Sequence, residues 1–251
     1  MKYNGIDPTT LHAGISIAKE IPPGTVTSQL ETLGGSTGEI IIGRTIQQGE
    51  YIVRVNIAGK STAQAWEIRK LLAGWACAAD QVTHKLIPTH WTDVYYDAIL
   101  KEISPPEFLF GFAVIDVIFA IPRPIACSVR GTVFEGEDGV SENTVNIGGS
   151  SYARPQIILM MNAGTGLSLK VDGVVLLALT VSFAKDDIEE INIDTSYVRV
   201  RKRSAWSTAN SRIDYTQTDF QKLAEAFSPG EHTITCEEAS MITGNWRDEW
   251  L

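Results

Sequence analysis

The chain has 251 residues, 44% of them hydrophobic and 20% charged, with a formal net charge of -9. That length fits one large or two ordinary globular domains, and the acidic balance works against non-specific binding to nucleic acid or anionic lipid, which needs a positive footprint. Three widely spaced cysteines, Cys77, Cys127 and Cys236, exclude a disulfide framework and a paired-thiolate zinc site.

The opening stretch "MKYNGIDPTTLHAG" lacks the apolar core of a signal peptide. The longest apolar run, 108–121, is shorter than the roughly 20 residues that cross a bilayer as a helix. The expectation is a soluble protein made in the cytoplasm, with no membrane insertion.

In "EIIIGRTIQQGEYIVRVNIAG" (39–59) the sequence predicts two strands joined at "QQG". In the second, Tyr51, Val53, Val55 and Ile57 alternate with Ile52, Arg54 and Asn56, the period of a half-buried strand. "STAQAWEIRKLLAGWA" follows. Ser61 with Gln64 three positions on fits a capping box. Ala65, Ile68, Leu72 and Trp75 recur at helical spacing, with Leu71 beside them. The spacing predicts one amphipathic helix over 62–77.

Strands resume in "TDVYYDAILKEI" (92–103), stop at "SPPEF", and return as "FAVIDVIFAI" (112–121). Strand side chains alternate between two faces. Phe112, Val114, Ile118 and Ala120 fall on one; Ala113, Ile115, Val117, Phe119 and Ile121 fall on the other. Only Asp116 is polar, so both faces of this strand need cover. "IPRPIA" ends it, because proline cannot sit inside a central ladder.

Residues 131–151, rich in Gly, Ser, Asn and acids, read as a linker or domain boundary. The expected domains are 1–135 and 136–251. The second reads as short strand after short strand, the pattern of a β-sandwich. In it "GTGLSLKVDG" reads as turn, strand, turn, and "DFQKLAEAFSPG" holds one helical turn. "DDIEEINIDTSYVRVRKRS" reads as a hairpin. A three-residue loop would set Glu189 opposite Arg201 and Asp187 opposite Arg203. A two-residue loop would set Glu190 opposite Arg199 and Asp187 opposite Lys202. Either register pairs opposite charges, which explains the basic cluster "RVRKR" better than a ligand contact does.

The catalytic signals are thin. His12, His84, His90 and His232 are the only histidines, and none lies near a glycine-framed nucleophile motif. His84 and His90 do not have the spacing of a helical ligand pair. "EGEDGVSEN" (135–143) misses the calcium-loop register, and no motif asks for a cofactor or metal. A sandwich hydrolase needs carboxylates paired about 5 to 9 Å apart, and nothing here pairs them. The best candidate for a sugar platform is Trp206 in "SAWSTAN". That leaves apolar strand surface beyond the needs of one small sandwich, the mark of a protein that assembles.

Taken in order, these segments resemble the distal tail proteins of long-tailed siphophages, the siphovirus tail-component family. The helix with "LLAGWA" precedes "HWTDVYYDAIL", similar to the family's tyrosine doublet followed by Ala. "VIFAIPRPIA" resembles its strand ending in Phe-x-x-Pro-x-Ala. "NIGGSSYARPQIIL" is similar to its glycine-rich approach to the C-terminal domain, and "INIDTSYVRV" to its Ile-Asp hairpin. "FSPGEHTITC" resembles its Leu-x-Pro-Gly-x-Asn-x-Ile strand, and "WRDEWL" its terminal aromatic strand. Ser228 and His232 depart from the pattern, the latter replacing an Asn.

The resemblance implies a mainly β protein: an N-terminal β-sandwich or split barrel with one α-helix, and a C-terminal galectin-like β-sandwich. It implies a non-enzymatic virion component, a homohexameric ring whose bore passes DNA without specific binding. The ring would join the tail-tube protein to the tail-tip (tail-associated) protein, and its outer domain would dock receptor-binding or other baseplate proteins. On this reading Phe112, Val114, Asp116 and Ile118 are candidate subunit-interface residues, and Trp206 a candidate contact for an outer partner. The helix covers most of the strand's second face, and Asp116 has a basic residue, backbone donors or bore water beside it, because an unpaired buried carboxylate is costly. The competing reading is a carbohydrate-binding or adhesin module centred on Trp206.

Overall fold

The computed structural model describes residues 1–24, 27–32, 39–45, 49–58, 61–77, 82–109, 111–193, 198–202, 205–208 and 212–250; of these, 27–32, 39–45, 198, 202, 205–208 and 224 are described by backbone alone. The protein is mainly β, its sheets antiparallel throughout the strand ladders and none of them closed into a barrel. It forms two compact units, one over residues 1–129 and one over 130–250.

In the first unit the strands are β1 (Lys2–Tyr3), β2 (Ile15–Ile21), β3 (Thr27–Thr32), β4 (Glu39–Thr45) and β5 (Gly49–Ile57). After helix α1 (Thr62–Ala76) come β6 (His84–Ile87), β7 (Val94–Ile103), β8 (Glu107–Leu109), β9 (Phe112–Ile121) and β10 (Ala126–Ser128). The main sheet runs β1-β6-β7-β9-β5-β2, with β8 also on β9 and β10 on β7; β3 and β4 form a separate two-stranded ribbon. So the two strands flanking "QQG" form, and each pairs elsewhere. Residues 46–48 lie outside the described residues.

Strand β9 sits at the centre. It pairs with β5 along its whole length, Gly49 opposite Ile121 through to Ile57 opposite Ala113. Alternation in β5 is as its sequence dictates: Tyr51, Val53, Val55 and Ile57 are buried, while Ile52, Arg54 and Asn56 are not. Ser61 caps α1, its Oγ accepting from the Gln64 N–H at 3.3 Å. The helix buries Ala65, Ile68, Leu72 and Ala76 and packs on β7 and β9. Trp75 stands edge-on to Phe119 at 5.9 Å, and Tyr3 lies 4.6 Å from the same ring.

The second unit contains β11 (Thr132–Phe134), β12 (Glu142–Ile147), β13 (Gln156–Met161), β14 (Gly164–Val171), β15 (Val174–Phe183) and β16 (Ile188–Ile193). It continues with β17 (Val198–Lys202), β18 (Ala205–Thr208), α2 (Phe220–Glu225), β19 (Gly230–Thr235), β20 (Ala239–Trp246) and β21 (Glu249–Trp250). A six-stranded sheet, β11-β20-β13-β16-β17-β18, and a four-stranded sheet, β12-β19-β14-β15, share one core. Ile157, Leu159, Ile191 and Ile242 come from the first sheet, and Leu167, Leu169, Leu177 and Ile234 from the second. This is a β-sandwich.

Two expectations need correction. Residues 131–151 are more than a linker, because β11 and β12 lie inside them; their polar composition reflects strands with little buried surface, Val145 and Ile147 being the buried residues of β12. The β16–β17 hairpin takes neither expected register. Ile193 pairs with Val198, so four residues join the strands, and Glu190 faces Arg201 while Glu189 faces Lys202. A longer loop shifts the register but keeps acid opposite base. Residues 194–197 and 203 lie outside the described residues. By contrast, Asp172 and Gly173, both at positive φ, close β14 to β15 as a two-residue turn, the geometry that Asp-Gly favours in a tight hairpin.

Candidate functional site

The two faces of β9 have different fates. Ala113, Ile115, Val117, Phe119 and Ile121 are all buried, on the side where Phe119 meets α1 and Tyr3. On the other side Phe112 is 38% exposed, Asp116 and Ile118 are half-buried, and Val114 and Ala120 are just buried. Phe112, Val114, Asp116 and Ile118 therefore lie together on the sheet face that α1 leaves uncovered.

Cross-strand partners extend this face. Ile52 lies opposite Ile118, Arg54 opposite Asp116 and Asn56 opposite Val114 on β5, while Glu107 lies opposite Val114 and Leu109 opposite Phe112 on β8. At its β8 end Leu109 is exposed on this face, while Phe108, opposite Ala113, is exposed on the helix side, and both border a pocket of about 400 Å³ that also takes in Ser61, Thr62 and Ala65 of the helix start. Apolar side chains thus share this face with the charges of Arg54, Asp116 and Glu107, with the Arg54–Asp116 pair at its middle.

Asp116 has the basic partner the sequence asks for. Arg54 Nε donates to Oδ1 and Nη2 to Oδ2, each at 2.8 Å. This two-pronged geometry matches guanidinium to carboxylate. The hydrogen bond from Arg54 holds the Asp116 carboxyl below its usual range, against the opposing pull of partial burial. Asp116 also fixes the strand end beside it: its N–H donates to Ser104 Oγ and its carbonyl accepts from the Ser104 N–H, both at 2.9 Å. Arg69 of α1 then donates to the carbonyls of Ser104 and Ile103. Arg54 was visible in the sequence as the lone charge among the apolar residues of 51–57.

One constellation in the second unit invites an enzymatic reading. His232 Nδ1 lies 2.8 Å from Asp172 Oδ2, and its Nε2 lies 3.4 Å from Ser228 Oγ. Ser, His and Asp thus stand in the order of a hydrolytic triad. However, Nε2 lies only 2.7 Å from the Ser228 carbonyl oxygen. That nitrogen is directed at an acceptor and is poorly placed to take the hydroxyl proton. Asp172 Oδ1 accepts from the Thr233 N–H at 2.9 Å, so the group latches the β14–β15 turn to β19. Thr233 first and His232 second hold the Asp172 carboxyl low. Ser228 and His232, the two departures from the family pattern, meet in this latch.

Trp206 lies on β18, at the edge of the six-stranded sheet, opposite Arg201 in the ladder. Its side chain, on which the sugar-platform reading depends, lies outside the described residues. No group of His, Cys, Asp and Glu suited to a metal occurs among the described residues.

No protein-family model matches the chain, and no curated protein matches it. Among solved structures it is similar to the Dit protein (gp 19.1) of phage SPP1, a paradigm of the hub adsorption apparatus in phages infecting Gram-positive hosts. The likeness has a TM-score of 0.69 at 12% identity and covers 99% of this chain and 98% of that one. Two structures of the phage P2 baseplate in its activated conformation, with calcium and with strontium, cover 94% and 93% of this chain and 90% of their own, at 11% identity. Their TM-scores are 0.47 and 0.49. The fold is shared with SPP1 Dit from end to end.

Proposed function

We propose that this chain is a structural hub of a phage tail tip or baseplate. On this reading it is a non-enzymatic virion protein that closes into a homohexameric ring between the tail-tube protein and the tail-tip protein. The first unit builds the ring, and the sandwich of the second, which takes in β11 and so begins before the expected boundary at 135/136, docks receptor-binding or other baseplate proteins. The observation that carries this is the end-to-end fold shared with a phage hub protein.

The uncovered face of β9 supports the ring. A head-to-tail contact closes when its rotation divides a full turn. The neighbour's surface would remove Phe112, Val114 and Ile118 from water, each apolar Å² contributing about 25 cal/mol. Covering Asp116 would leave no lone charge, because Arg54 already neutralises it. The net charge of -9 also suits a bore through which DNA slides without adhering.

Light scattering coupled to gel filtration, with negative-stain imaging, tests the proposal. The expected result is a six-fold mass and ring-shaped particles, both lost in Ile118→Glu with the fold intact. A concentration-independent monomer, or a closed particle of another copy number, overturns the ring.

A further inference from the structure

The outer face of the six-stranded sheet has a pattern that the hub reading leaves unused. Cross-strand partners share a face. The register therefore sets Asn245, Gln156, Asn192 and Arg199 in one line across β20, β13, β16 and β17. Beside it runs a second line, Thr243, Ile158, Glu190 and Arg201. Strands lie about 4.8 Å apart, so each line is about 14 Å long. The core-facing residues between them on β13, β16 and β17, Ile157, Ile191 and Val200, are fully buried, which fixes the two lines on the opposite side.

The polar groups are held in place by one another. Asn245 Nδ2 donates to Gln156 Oε1 at 3.2 Å, Gln156 Nε2 donates to Glu190 Oε1, and Arg201 pairs with Glu190. Glu190 is 5% exposed, so the network is anchored in the sheet. In the middle of the line, half-buried Asn192 makes no side-chain hydrogen bond among the described residues. A pocket of about 340 Å³ opens at the β20 end, lined by Phe134, Ile158, Met241, Thr243 and Asn245. An apolar floor with a few convergent polar groups is the make-up of a small-ligand site.

The chemistry selects the ligand. Carboxamides, a carboxylate and a guanidinium offer donors and acceptors side by side, and hydroxyl groups both donate and accept. A nucleic-acid backbone requires uncompensated cations, whereas Arg201 is paired with Glu190. A protein hot spot is centred on a buried aromatic or Arg anchor, whereas here Arg199 is exposed and half-buried Arg201 is committed to Glu190. The geometry points to a saccharide-binding groove, with one sugar ring seated in the pocket and further hydroxyls bound along Asn245, Gln156 and Asn192. Glu190 is a positioning residue that orients Gln156.

The test is an array of printed oligosaccharides probed with the labelled full chain, followed by titration of the best-bound glycan. The expected result is saturable binding to a small set of related saccharides. Asn192→Ala and Asn245→Ala should each weaken it about tenfold, the loss of one or two hydrogen bonds, with unchanged unfolding midpoints. Ile118→Glu, in the other unit, should bind normally, so failure of the ring and failure of the groove are distinguishable. Signal no higher than that of an unrelated β-sandwich protein overturns the inference, as does undiminished binding by both variants. Binding confined to dextran sulfate and abolished by salt also overturns it, because it marks a contact driven by arginine charge alone.

Discussion

Two isoleucines three residues apart on β9 should respond to the same substitution in the same direction but by different amounts. Ile115 is 0% exposed on the helix-covered face, and Ile118 is half-buried on the uncovered one. Ile→Ala removes three carbons, about 2.4 kcal/mol of transfer free energy at ~0.8 kcal/mol each. At position 115 a cavity adds to this, for about 3 to 4 kcal/mol. At position 118 water already reaches part of the side chain and no closed cavity forms, so about 1 kcal/mol is expected. The assay is urea unfolding at a protein concentration low enough to suppress association. The two units need separate transitions in the fit, because a single two-state curve does not describe a two-unit chain. With an m-value of about 2 kcal/mol per molar, Ile115→Ala should lower the first unit's midpoint by about 1.5 to 2 M and Ile118→Ala by about 0.5 M. Equal shifts, or a larger one for Ile118, would refute the assignment of a covered and an uncovered face.

In the second unit, Arg212 pairs at 2.8 Å with Glu189, whose side chain is fully buried. Arg212→Ala should destabilise that unit by about 3 to 5 kcal/mol in the same unfolding assay, because it strips a buried carboxylate of a charged partner. The Asp116 and Asp172 carboxyls are held below the ordinary value of 3.8. Their contribution is therefore complete above pH 3.8 and is lost as pH falls through the lower folded values. Asp116→Asn should flatten the acid limb of the first unit's stability and Asp172→Asn that of the second, with no change in slope above pH 5, as followed by circular dichroism. Burial first, with Glu238 adding, pushes the Cys236 thiol up to about 12; a thiol reagent at pH 8 should label exposed Cys77 in the native protein and Cys236 only on unfolding.

The sequence announced what local chemistry decides. Ser61 with Gln64 placed the start of α1, and the alternation in 51–57 placed the buried face of β5, because capping and pleat geometry act over a few residues. It concealed what depends on loop length and distant pairing. The hairpin registers considered assumed two- or three-residue loops, but Ile193 pairs with Val198. The line of Asn245, Gln156, Asn192 and Arg199 joins residues up to 89 positions apart, as the Asn245–Gln156 bond shows. No local pattern marks such a set, because each strand contributes one polar residue to it. The triad-like latch was equally hidden: Asp172 lies 60 positions from His232 and meets it only through the tight turn at Asp172-Gly173.

Asp116 joins the fold to the proposed assembly. A one-residue slip between β5 and β9 would turn every side chain of β9 to the opposite face. Both faces of this strand are apolar, so hydrophobic burial alone discriminates poorly between the true register and its neighbour. Asp116 breaks that symmetry: a slip would drive its carboxylate under α1, towards Ile68 and Leu72, and would separate it from Arg54. The energy that matters is the cost of the wrong register, since a solvent-exposed ion pair adds little to the right one. The same pair lies among Phe112, Val114 and Ile118 on the face proposed to meet a neighbouring copy. A strand apolar on both sides is a hazard while unpaired. A charge fixed in the middle of its open face keeps that face soluble in the free chain, and because it carries its own counter-ion it leaves no unpaired charge once the face is covered.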